Sequence, residues 1–118
     1  MQDIETLLQN ANDDKSLSER ALLQKGMALI AAGKLEDAEN TFMPLAKAKG
    51  LRQKDAFYGL GMVYNSKGDP NKAYKFMKTA KAANHPLAQE YINAYLQDFL
   101  KEAKRRSLEA NAKEFKKN

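Results

Sequence analysis

The chain has no cysteine and no tryptophan, a single histidine and only three prolines in 118 residues. Without cysteine, disulfides and thiolate metal sites are excluded, and the redox compartment is left undetermined. With His85 as the one imidazole, no histidine-based metal cluster or nucleophile–base–acid triad with spare ligands can be assembled. Its place in a turn assigns it a capping or packing role. No Gly-rich phosphate loop occurs, since Gly59-Leu60-Gly61 falls mid-helix, where close packing explains it. The adjacent carboxylates Asp13-Asp14 and Glu36-Asp37 fit turn and first-turn helix charge. The expectation is no enzyme, no cofactor and no metal. No apolar run approaches the roughly 18 residues of a membrane helix. The start, Met1-Gln2-Asp3-Ile4-Glu5, is acidic and lacks an apolar core, so no secretion signal is expected and the cytoplasm is favoured. A periplasmic or secreted mature chain with its signal removed would read the same way. So would a fragment of a longer array.

What is present reads as helix. Valine occurs once, no alternating β-branched run exists, and Ala, Leu, Lys, Glu and Gln dominate. The length suits one small domain with a modest core. Net charge is +5. From Leu100 onward seven basic residues (Lys101, Lys104, Arg105, Arg106, Lys113, Lys116, Lys117) face Glu102, Glu109 and Glu114, so the tail carries most of the excess and the body is nearly neutral.

Punctuation divides the chain. Residues 1–15 hold an apolar cap segment (Ile4, Leu7, Leu8) and a turn at Asn10-Ala11-Asn12-Asp13-Asp14. Ser16 or Ser18 can cap the next helix, Ser16 with Glu19 as a capping box. That helix runs to about Ala32, where Gly33-Lys34 breaks it. The next runs from about Leu35 to Lys49, with Gly50 as its stop and Pro44 as a kink. A third spans Gln53 to Ser66. After Gly68, Asp69 can cap and Pro70 can open a fourth helix to about Ala83. A last helix starts near Pro86 and meets no breaker through Phe115, a length of roughly 45 Å.

The pattern occurs nearly twice. Shifting residues 17–50 by 35 gives six identities: Ala21/Ala56, Gly26/Gly61, Met27/Met62, Gly33/Gly68, Ala38/Ala73 and Ala48/Ala83. Gly26 and Gly61 would let paired helices approach, Ala38 and Ala73 would do so from the opposite side, and Phe42 and Met77 would fill the space beyond. The units are residues 16–50 and 51–86, followed by a closing helix with a basic tail at 87–118. In that helix Ala88, Ile92 and Leu96 follow Ala56, Leu60 and Tyr64 at a spacing of 32, and no partner helix comes after it.

The clearer copy, Phe57-x2-Leu60-Gly61-x2-Tyr64, Gly68, Ala73-x3-Met77, Pro86, resembles the tetratricopeptide repeat. Phe57 stands where that family has Trp, and Met77 where it has Phe. The join Lys72-Ala73…Asn84-His85-Pro86-Leu87-Ala88-Gln89 resembles the Sel-one-like subfamily, without the loop residues that usually lengthen it. The resemblance covers residues 17–98. It implies an all-α fold: a short right-handed solenoid of about two helix–turn–helix repeats plus a long C-terminal helix. It also implies a binding surface on the concave face.

By register, that face should carry Arg20, Leu23, Met27 and Ile30, then Asp55, Tyr58, Met62 and Asn65, then Glu90, Ala94 and Gln97. Family members that clamp acidic peptide C-termini use Lys, Asn and Arg there; this chain has Leu, Met and Tyr. The expected site is therefore Arg20, Leu23, Met27, Ile30, Tyr58, Met62 and Asn65, accepting an apolar peptide or amphipathic helix. The expected partner is a protein, within a larger assembly or as a second copy of the chain. Ile4–Leu8 could instead fill the groove. The alternative gives the basic tail a role on nucleic acid or an anionic membrane, disfavoured by its interleaved carboxylates.

Overall fold

The computed structural model describes the backbone of residues 4–116 and the side chains of residues 17–112. Among the described residues there is no strand. The helices are α1 (Ile4–Ala31), α2 (Leu35–Lys47), α3 (Gln53–Ser66), α4 (Pro70–Ala82) and α5 (Ala88–Tyr91). A π-helical turn (Ile92–Leu96) then leads into α6 (Gln97–Lys116). The molecule is a short helical solenoid, elongated at 81 × 30 × 21 Å.

Three of these helices stop in the same way. After α1, Gly33 N–H donates to the Ile30 carbonyl and Lys34 N–H to that of Leu29. After α3, Gly68 and Asp69 make the same pair of bonds to Asn65 and Tyr64, and after α4, Asn84 and His85 make them to Lys81 and Ala80. This six-residue closure needs a left-handed residue at its fifth position. Gly33 (φ 77°), Gly68 (φ 81°) and Asn84 (φ 68°) supply it. Asp69 caps α4 by accepting from the Lys72 N–H at 3.2 Å, with Pro70 in the first turn.

Three expectations are corrected. The turn at residues 10–14 does not form: α1 passes through it unbroken, so Ser16 and Ser18 lie inside the helix and cap nothing. Asn and Asp cost only about 0.7 kcal/mol each in a helix interior, and with no Gly or Pro present nothing forces a break. Gly50 is not a left-handed stop. α2 ends at Lys47, one turn past Pro44, and leaves through Ala48 in an extended conformation. The closing helix begins at Ala88 and is not a uniform α-helix.

The core forms two linked clusters. In the first, Ala38, Phe42, Leu45 and Ala46 of α2 meet Ala56, Leu60 and Val63 of α3, with Leu23, Leu29 and Ile30 of α1 packed against them. In the second, Tyr64 of α3 and Ala73, Met77 and Ala80 of α4 meet Ala88, Ile92 and Leu96. Phe57 and Phe76 touch both. Each large side chain taken fully out of water contributes about 1.5–3 kcal/mol.

The glycines set the spacing. A Cβ on Gly26 would collide with the Phe42 ring, and one on Gly59 would sit 2.6 Å from it. On Gly61 it would sit 2.7 Å from the Met77 methyl. Phe42 and Met77 therefore occupy equivalent slots, as the 35-residue register requires. Beside the second slot, the Tyr64 hydroxyl donates to the Glu39 carboxylate, and Lys67 Nζ reaches Glu39 at 2.9 Å and Glu36 at 2.6 Å. Holding that proton for Glu39, with burial adding to it, pushes the Tyr64 phenol up to about 12. The Tyr64 hydroxyl and then Lys67 hold the Glu39 carboxyl below its usual range.

Candidate functional site

α1 and α3 enclose an open groove of about 390 Å³, lined by Leu23, Gln24 and Met27 from α1, Arg52, Asp55 and Tyr58 at and within the start of α3, and His85. Leu23 lies half-buried against the first core, while Met27 remains 36 % exposed. One wall is thus a flexible thioether beside a branched aliphatic, and the opposite wall is an aromatic ring.

His85 fixes that ring. Its imidazole stacks on Tyr58 with centroids 4.3 Å apart and planes 6° from parallel. Nδ1 accepts the Leu87 N–H at 3.1 Å, which leaves the proton on Nε2, 3.2 Å from Asp55 Oδ1. The neutral imidazole therefore satisfies both nitrogens. Protonating Nδ1 would set two donors against each other. Burial of this side chain lowers the His85 pKa, against the opposing pull of Asp55. The capping and packing role expected from its turn position describes both contacts.

Beyond Tyr58 the groove continues as a row of tyrosines. Tyr91 meets the Tyr58 ring edge-on at 5.7 Å and Tyr95 at 4.6 Å. The Tyr91 hydroxyl accepts from Asn65 Nδ2 at 2.8 Å. Burial raises the pKa of both Tyr58 and Tyr91. Tyr95 is 65 % exposed, an open aromatic face at the end of the row.

Of the seven expected site residues, Leu23, Met27 and Tyr58 come together in the groove. Asn65 stands behind the tyrosine row as the Tyr91 donor. Met62 is half-buried against the second core and Ile30 against the first. Arg20 is exposed and does not line the groove. Asp55, expected on this face, lines it.

On the closing helix the expected faces do not hold. Glu90 and Ala94 are exposed beside the row, Gln97 lines a different concavity, and Tyr91 and Tyr95 take the place by Tyr58. Ala88, Ile92 and Leu96 are all buried at four-residue steps, as Ala56, Leu60 and Tyr64 are in α3. The π-helical turn at Ile92–Leu96 interrupts the regular register of the closing helix, and Tyr91 and Tyr95 lie there with their rings 4.6 Å apart.

Among the described residues, no group of three or more His, Asp or Glu converges as a metal site, and no helix is long and apolar enough to cross a membrane. The groove is an apolar surface with one polar end, suited to contact. Residues 54–84, spanning most of α3 and all of α4, match the family model of the tetratricopeptide repeat. No curated protein and no solved structure matches the chain. Repeats of this kind generally mediate protein–protein interaction.

Proposed function

We propose that the chain is a non-enzymatic interaction module, an adaptor, assembly factor or chaperone-like subunit, that holds an apolar peptide or amphipathic helix of a protein partner along its concave face. The observation that carries this reading is the strip of Leu23, Met27, Tyr58, Tyr91 and Tyr95, half-buried along its middle and open at Met27 and Tyr95. Adaptable thioether and rigid aromatic surfaces side by side suit a helical or extended apolar ligand. Arg52, Asp55 and His85 at one end would fix its direction. The finer Sel-one-like reading is supported by the Asn84-His85-Pro86 join, where His85 closes one unit on Tyr58 and Ala88 opens the next.

The alternative role for the basic tail finds no support in its geometry. Arg105 is paired with Glu102 and Glu109, each at 2.5 Å, and Arg106 with Glu102 at 3.2 Å. The arginines best suited to phosphate are thus engaged along their own helix. Selection from a random peptide display library on the immobilised chain tests the main reading. Apolar sequences should emerge, and their binding should be lost with Met27→Glu/Tyr95→Lys, two exposed substitutions. Peptides indifferent to that variant would move the binding surface elsewhere.

A further inference from the structure

The two junctions between consecutive units are built alike but finished differently. At the first, α4 packs over the α2–α3 pair, and its Phe76 lies against the first core, 5.4 Å from the Tyr64 ring and 6.5 Å from Phe57. At the second, α4 and the closing helix meet in an open concavity of about 500 Å³. Its walls are Tyr74, Lys78 and Lys81 of α4 and Ile92, Gln97 and Leu100 of the closing helix. The 35-residue register carries Met43 and Ala46 onto Lys78 and Lys81. Met43 and Ala46 belong to the first core beside Phe76; their counterparts flank a space that no described residue fills.

We propose that the N-terminal half of α1 from a second copy of this chain docks in that concavity, in the place that α4 takes at the first junction. Length is the first reason. α1 has 28 residues against 13 in α2, and among its described side chains those packed on the first core are Leu23, Leu29 and Ile30. Earlier on the helix, Leu17 is 60 % exposed. Charge is the second. Residues 4–17 carry Glu5, Asp13 and Asp14 against Lys15, a net charge of −2. Lys78 and Lys81 have no carboxylate partner among the described residues. Pattern is the third. Ile4, Leu7, Leu8 and Ala11 recur in the sequence at helical spacing, and the incoming helix needs an apolar residue to do what Phe76 does one unit earlier. The side chains of this segment lie outside the described residues, as does the alternative that it fills its own chain's groove.

Donor and acceptor are different patches, so copies can add head-to-tail or exchange their α1 segments reciprocally in a two-fold dimer. The contact uses α4 and the closing helix. Sedimentation velocity on the intact chain over a range of concentrations tests it. The sedimentation coefficient should rise with concentration above that of the monomer, and the rise should shrink with added salt. Lys78→Glu/Lys81→Glu and, separately, Leu7→Lys/Leu8→Lys should each be monomeric, with unchanged helicity by circular dichroism. Mixed in equal amounts they should form a heterodimer and nothing larger, because each keeps one of the two complementary surfaces. Met27→Glu/Tyr95→Lys should associate as the parent does. A parent chain that stays monomeric overturns the proposal, and so does unchanged association in either double variant or a failure of the mixture to pair.

Discussion

The two repeats solve one packing problem with different side chains. In the first, the rigid ring of Phe42 is clasped by Gly26 on α1 and Gly59 on α3. In the second, the flexible Met77 faces Gly61 alone. The backbone slot is common to both, while the tolerance of the filling is not. A ring cannot bend away from an added atom, whereas a thioether can re-pack. The first repeat is therefore a fixed base. The second, whose inner face carries Tyr58 and His85, is the adaptable part.

The largest expected effect comes from emptying the slots. Phe42→Ala should cost about 3–5 kcal/mol and Met77→Ala about 2–5 kcal/mol, with Phe42 the more damaging, measured by urea denaturation. For a domain this small the Phe42 variant should be largely unfolded at ambient temperature. Filling the slots from the other side separates the repeats better. Gly26→Ala and Gly59→Ala should each lose about 1–3 kcal/mol from overpacking, partly offset by the roughly 1 kcal/mol that Ala gains over Gly in a helix. Gly61→Ala should lose less than either, because the Met77 methyl can move, although its Cγ, 2.9 Å from the added carbon, must shift as well. Equal losses at Gly59 and Gly61 would erase the distinction.

Much of this was legible in the sequence, because packing at a glycine demands a particular residue on the facing helix. The spacing of Gly26, Gly61, Ala38 and Ala73, with the resemblance that assigns Phe42 and Met77 to the facing slots, places these residues, and the bounds of α3 need no correction. The site was less legible. Leu23, Met27 and Tyr58 follow from a regular 3.6-residue register, but the closing helix leaves that register at a π-helical turn, Ile92–Leu96, that propensities do not encode. His85 reaches Tyr58 and Asp55 only because Asn84 adopts the left-handed conformation usually left to glycine. The run Asn10–Asp14 suggests a turn, yet α1 continues through it, because weak helix formers without Gly or Pro do not break a helix.

Smaller effects concern the polar groups beside each region. His85 has a lowered pKa in the folded chain, so the unfolded chain takes up the proton first as pH falls. Stability should decline from near the ordinary histidine value, about 6.5, down to the folded value, and level off below it. His85→Asn should flatten that slope in thermal melts across mild acid. Glu39 behaves as a carboxylate of depressed pKa. Its contribution is present above its ordinary range and is lost only as pH falls through its lower folded value. Tyr64→Phe removes the main cause of that depression. It should cost about 1 kcal/mol at neutral pH and weaken the acid-limb loss due to Glu39.

The most direct test of the concave face as the binding surface is chemical-shift mapping of the labelled chain titrated with a selected apolar peptide. Binding on the inner face predicts perturbations centred on Leu23, Met27, Tyr58, Tyr91 and Tyr95, with the His85 ring shifted and α2 largely silent. Perturbations confined to α2, or to the basic residues of α6, would contradict it.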